Sequence, residues 1–130
     1  MPHLVKSEVM PLLLEACPSF EGKWKQHRSW WGDEDPLLYV DLGEFVLHLV
    51  ELYAGRNTDE LPKVFDVVER LHLEGDAYVR EAATIGILED IQTVSRNKGI
   101  DPHSFMQYLK PESLRWWDKL NKFWRRGRST

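Results

Sequence analysis

The side chains with the widest chemical reach in this sequence are five histidines and one cysteine, set among 21 carboxylates. Metal-assisted chemistry is the first class they raise. Glu69-Arg70-Leu71-His72 has the Glu-x-x-His spacing that puts two ligands on one helical face. Carboxylate-bridged di-metal bundles need two such motifs and two further inward glutamates, and the chain holds one copy. His48 stands between Glu44 and Glu51 at helical spacing, which reads as a hydrogen-bonding cluster along one helix face. No metal site and no cofactor are therefore expected. Cys17 has no second cysteine and no partner motif. It reads as a small buried hydrophobe on an amphipathic helix, in a reducing compartment.

Other catalytic signatures are missing. There is no glycine-rich phosphate loop, no HExxH, no Gly-x-Ser-x-Gly elbow and no paired-cysteine motif. The chain reads as a non-enzyme. Two charged features remain. Glu89-Asp90 directly follows the apolar run Ile85–Leu88, so one of the two carboxylates must lie near the core boundary. It reads as an acidic contact, a cap on a neighbouring helix end, or a solvated helix edge. Near the C-terminus, Arg115, Lys119, Lys122, Arg125, Arg126 and Arg128 stand beside Trp116, Trp117 and Trp124, a pattern suited to stacking on bases and contacting phosphates. The sequence pI of about 5.7 argues against nucleic acid, whose binders are basic as whole domains.

The elements that must position these groups are helical. Apolar residues recur at three- and four-residue spacing from His3 to Cys17, with Pro11 as an interruption or a late start and Pro18 as the stop. Ser19 is placed to cap a short helix with Phe20 and Trp24, before a loop at Gly32-Asp33-Glu34-Asp35-Pro36. Asp41 is placed to cap a helix that stops at Gly55. Asn57 and Glu60 have capping-box spacing ahead of a helix whose Leu61, Val64, Phe65, Val68 and Leu71 share one face. A nearly uncharged segment within 76–98 reads as a central helix, with Ala82, Ala83 and Gly86 allowing close approach. A helix opened by Asp101-Pro102 ends at Pro111, and a last one carries Leu114, Trp117, Leu120, Phe123 and Trp124. The fold expected is all-α: a compact antiparallel helical bundle or short α-solenoid of about five to seven helices. It occupies one domain, 1–130, with residues 125–130 as a frayed basic tail.

Charge is divided unevenly. Residues 33–90 carry 15 acidic and 4 basic side chains, and residues 96–130 carry 9 basic and 3 acidic ones, within a net charge of −4. Such asymmetry bears on partners and association rates. The six tryptophans fall in two groups, Trp24/Trp30/Trp31 and Trp116/Trp117/Trp124, which are expected to pack on each other and complete one core. No stretch approaches the ~20 apolar residues of a membrane span. No basic segment followed by an apolar run opens the chain, so a cytoplasmic location is expected.

Gly86-Ile87-Leu88-Glu89-Asp90-Ile91-Gln92 resembles the central-helix motif G-x-L-E-x-[LI]-Q of a family of small uncharacterised bacterial all-helical proteins. The ending Pro111-Glu112-Ser113-Leu114-Arg115-Trp116-Trp117-Asp118-Lys119-Leu120 with Phe123-Trp124 is similar to that family's C-terminal W-W-x-x-L-x-x-F-W helix. The Leu42-Gly43-Glu44-Phe45 and Val64-Phe65 segments also fit. The resemblance implies a compact helical protein of toxin-immunity type, without enzymatic activity.

The expected function is then a cytoplasmic binding protein. In the leading reading it is an immunity protein that neutralises a bacterial toxin by occluding its active site. An acidic surface competes for the basic cleft of a nuclease toxin and is steered to it quickly. Candidate partner contacts are Asp33, Glu34 and Asp35 in the loop, with Asp59, Glu60, Glu74 and Asp76 at helix ends. Helix-end carboxylates also stabilise helix N-termini, which accounts for them without a partner. An adaptor or scaffold using the tryptophan patches is the alternative, and a nucleic-acid-associated regulator using the basic C-terminal helix is a third. A protein partner is expected, with nucleic acid disfavoured and no membrane contact.

Overall fold

A computed structural model describes residues 4–32 and 37–128, with side chains to Lys122. The helices are α1 (Lys6–Ala16), α2 (Glu21–Trp31), α3 (Leu38–Ala54), α4 (Leu61–Glu74), α5 (Ala77–Glu81), α6 (Asp90–Asn97) and α7 (Pro111–Arg128). A π-helical segment, Ala82–Glu89, joins α5 to α6, and 3₁₀ turns occupy Pro18–Phe20 and Pro102–Tyr108. Among the described residues there is no strand, only an isolated parallel bridge between Leu4 and Gly75. The fold is an all-α bundle, as the periodicity predicts. No described helix is long and apolar enough to cross a membrane.

α3 and α4 supply much of the core. Leu42, Phe45, Val46, Leu49 and Val50 are buried on α3, and Leu61, Val64, Phe65, Val68 and Leu71 make one buried face of α4. The segment 82–89 lies between α3, α4 and α7, and Ala82, Ala83, Thr84, Gly86, Ile87 and Leu88 are buried there. A helix apolar on most sides requires neighbours on most sides, which is the position it occupies. Gly86 shows why a small residue stands there. A Cβ on it would lie 2.8 Å from Leu42 Cδ1 and 3.3 Å from Tyr39. The close approach is to α3 side chains. The wide π turns let this stretch stay helical while following that surface.

Several local expectations change. Pro11 lies inside a continuous α1 and does not interrupt it. α3 starts at Leu38, three residues before Asp41. Asp41 sits in the first turn, buried, and its carboxylate accepts from His27 Nε2 at 2.7 Å. Asn57 does not cap α4, which begins after Glu60 with Pro62 in its first turn. The segment after Asp101 is a 3₁₀ turn, with Asp101 accepting from the His103 N–H. Among the described residues, the two tryptophan groups meet the same core without touching ring to ring: Trp24 packs against it from α2, and Trp116 and Trp117 from α7. Rings on the early side run Phe20–Trp24–His27–Trp31. Trp117 is fully buried from α7, Trp30 is 86% exposed, and no ring contact among the described residues joins the groups.

Candidate functional site

The polar side chains converge where α2 crosses α3, beside the start of α4. α2 has no fully buried residue. It is held by half-buried rings and by polar ties to α3 from Lys23 and His27. Lys23 Nζ reaches Glu51 Oε1 at 2.9 Å, and His27 pairs with Asp41. An element held this way opens more readily than the core helices.

Beneath α2 runs a chain of hydrogen bonds drawn from four elements. Lys23 Nζ lies 3.0 Å from His48 Nδ1, and His48 Nε2 lies 2.8 Å from Ser19 Oγ. The Ser19 hydroxyl donates to Glu60, whose carboxylate also accepts from Cys17 Sγ at 3.2 Å and from the Ser19 N–H at 3.2 Å. Burial, and then the Lys23 charge, push the His48 pKa below its ordinary value. Burial works against the Glu60 carboxylate, yet the hydrogen bonds from Ser19 and Cys17 outweigh it and hold its pKa below the usual glutamate value. Burial pushes the Cys17 thiol up to about 12, so without a cation to bind it is protonated at neutral pH.

With Lys23 as an ammonium, one arrangement of protons satisfies these contacts. The ammonium of Lys23 donates to Nδ1, so the neutral ring carries its hydrogen on Nε2. That N–H donates to Ser19, whose own proton points to Glu60. A serine nucleophile needs the reverse, an imidazole lone pair facing its hydroxyl. In this tautomer His48 does not withdraw the Ser19 proton. The arrangement is a satisfied polar network rather than an activated nucleophile.

On the solvent side of His48 a cleft of about 500 Å³ opens between α2 and α3, lined by Lys23, Gln26, His27, Trp30, Glu44, Leu47, His48 and Glu51. The His48, Glu44 and Glu51 cluster read from the sequence is real as one face of α3. Its partners Lys23, Ser19 and Glu60 come from distant sequence and carry no local spacing signal.

The sequence-derived partner residues scatter. Asp33, Glu34 and Asp35 lie outside the described residues. Asp59 is exposed and Glu60 belongs to the network below the cleft. Glu74 pairs with Arg70, and Asp76 caps α5 by accepting from the Val79 N–H at 2.9 Å. The backbone at Glu74 and Asp76 also holds Leu4. The 14 residues of α4 separate these two pairs by about 20 Å, so they are not one site.

Glu69 and His72 have structural partners. Glu69 accepts from the N–H groups of Glu112 (3.0 Å) and Ser113 (2.9 Å) and from the Ser113 hydroxyl (2.9 Å). His72 reaches Val68 O, Ser113 Oγ and Thr84 Oγ1. The motif therefore ties α4 to α7 and the π segment. Glu89 and Asp90 are both half-buried, and Asp90 lies beside Gly43 on α3. Burial first, then the Glu89 charge, raises its pKa. Among the basic residues on α7, Arg115 pairs with Glu112 and Lys119 lies over the Trp116 ring at 4.3 Å.

These features define a small all-α bundle with a polar network under an open, aromatic-rimmed cleft. The chain belongs to the family described as Domain of unknown function (DUF7674), which matches residues 10–125. No curated protein and no solved structure matches the chain.

Proposed function

We propose that this protein works by binding another protein, as a bacterial immunity-type inhibitor in the cytoplasm that occludes the active site of a basic toxin domain. The observation that carries this reading is Trp30. It is 86% exposed on the wall of a cleft whose other wall bears Glu44 and Glu51. Leaving a large ring in water is unfavourable, and tryptophan is the residue type most enriched at binding hot spots. A ring face opposite carboxylates suits an arginine or lysine, held by cation–π attraction and a charge-assisted hydrogen bond. Phosphate-binding clefts of nucleases present such side chains. The acidic bias of residues 33–90 would speed the encounter. Asp33, Glu34 and Asp35 directly follow Trp30-Trp31-Gly32 in the chain and extend the same acidic segment. In this reading the contact centres on α2 and α3, and Glu74 and Asp76 serve the fold.

The test is affinity capture with the tagged protein from its own cells, repeated with Glu44→Lys and with Asp33, Glu34 and Asp35 neutralised. A basic protein in a one-to-one complex, whose activity is blocked in the complex and whose capture weakens in the variants, supports the reading. Nucleic acid, or no partner, overturns it. An adaptor role is the second reading. It is favoured by a separate groove lined by Ala77, Arg80, Glu81, Thr84, Ile85 and Trp116, where Ile85 is 38% exposed. An adaptor would dock an apolar segment there.

A further inference from the structure

Cys17, His48 and Glu60 come from the end of α1, the middle of α3 and the residue before α4. Their donor atoms Sγ, Nε2 (or Nδ1) and a carboxylate oxygen all lie within 4.8 Å of one another. We propose that these three residues form a binding site for a thiophilic divalent cation of the zinc class. A thiolate, an imidazole and a carboxylate are the donor set zinc takes, at about 2.3 Å for sulfur and about 2.0–2.2 Å for nitrogen and oxygen. Ligands at those lengths around a tetrahedral ion stand roughly 3.2–3.8 Å apart. Cys17 Sγ and Glu60 Oε1 are 3.2 Å apart. Ser19 Oγ lies 2.8 Å from His48 Nε2 and 3.6 Å from Cys17 Sγ and donates to Glu60, so this hydroxyl stands among the three donor atoms and turns aside when the ion enters. Ser19 is exposed, so turning its side chain outward gives the ion its entry and leaves a solvent molecule as the fourth ligand.

Loading the site rearranges protons in a defined way. The Cys17 thiol proton, now given to Glu60, leaves to solvent as the S–metal bond forms. His48 must present the Nε2 lone pair, so its hydrogen moves from Nε2 to Nδ1. Nδ1 then faces the Lys23 ammonium, a donor facing a donor, and Lys23 must retire to Glu51, with which it already pairs at 2.9 Å. Lys23 therefore opposes binding. Because binding expels a proton, affinity rises with pH.

The experiment is titration of the fully reduced protein with Zn²⁺ against a chromophoric chelator, and with Co²⁺ followed by absorption, helical content being checked by circular dichroism. The expected result is one equivalent bound, with a thiolate-to-cobalt charge-transfer band that disappears in Cys17→Ser. His48→Gln and Glu60→Gln should each lose at least about tenfold in Zn²⁺ affinity. Lys23→Met should gain severalfold, a gain that a merely structural lysine would not produce. The proposal is overturned by absence of the charge-transfer band in the wild type, or by affinity that His48→Gln or Glu60→Gln leaves intact. If either of those variants loses helix, Lys23→Met decides: unchanged or weaker binding overturns the site.

Discussion

Replacing Glu69 with alanine removes the acceptor that three donors share at the start of α7. Pro111 opens that helix without an N–H, so Glu112 and Ser113 present the first free backbone donors. Both point to the Glu69 carboxylate, as does the Ser113 hydroxyl. Ser113 is fully buried, so water does not replace the lost acceptor. Loss of a cap costs about 1 kcal/mol, loss of a carboxylate at a helix N-terminus about 0.5 kcal/mol, and a stranded buried donor about 1–3 kcal/mol. Glu69→Ala should therefore destabilise the protein by about 3 kcal/mol. Glu69→Gln, which keeps one acceptor oxygen and loses the charge, should cost about 1–2 kcal/mol. With a urea slope of about 1.5 kcal/mol per M, the alanine variant's midpoint falls by about 2 M with the slope unchanged. The pH dependence adds a second reading. Burial disfavours the Glu69 carboxylate, but the hydrogen bonds from Glu112 and Ser113 outweigh it and hold its pKa below the ordinary 4.5. A depressed carboxylate pKa stabilises fully above the unfolded value and loses that contribution as pH falls through the folded one. The gap between wild type and Glu69→Gln should close as pH drops below about 4.5. A loss under about 0.5 kcal/mol for Glu69→Ala, or a gap that ignores pH, refutes the capping account.

Other consequences can be measured on the same purified protein. Gly86→Val should destabilise by about 2 kcal/mol or more, since its Cβ would meet Leu42 and Tyr39 in a packed interface; an unchanged melting temperature would remove the close-packing reason for that glycine. Both amide atoms of Gln92 are buried without a hydrogen-bond partner, so Gln92→Met should stabilise by about 1 kcal/mol, and a loss on chemical denaturation would show that the amide has a partner. Burial lowers the pKa values of His48 and His72, which stay neutral when folded and protonate when unfolded. Stability should thus fall as pH drops below about 6.5, and a flat profile between pH 7 and 5 contradicts it. Trp30→Ala should leave stability within about 0.5 kcal/mol, because the side chain is exposed, and a large drop would place the ring in a packing role instead.

The sequence carried much of the fold and little of the site, for physical reasons visible in particular residues. The buried face of α4 repeats every three or four positions, so the pattern names its core. The uncharged stretch 82–88 likewise announces a helix surrounded by others. Its π geometry left no sign, because the same residues fit either helix. Boundaries depend on tertiary partners. Asp41 looks like an N-cap until His27 claims its carboxylate, and Pro111 needs a cap that comes from Glu69, some forty residues earlier. Glu69-x-x-His72 was readable as a spacing but not as a structural tie, since Ser113 and Thr84 lie elsewhere in the chain. The Cys17–His48–Glu60 cluster has no local signature, because three separate elements bring it together. Which tryptophan is exposed is also a tertiary fact. Trp30 and Trp117 are both members of a WW pair, one in water and the other in the core.

The most direct test of the binding account is site-specific photocrosslinking in the protein's own cells, with the reactive residue placed at Gln26 on the cleft and, separately, at Ile85 on the other groove. Binding through the α2–α3 cleft predicts a crosslink from position 26 to one basic protein, lost when Trp30→Ala is added, and none from position 85. A crosslink from position 85 alone, or one from position 26 that survives Trp30→Ala unchanged, would contradict it.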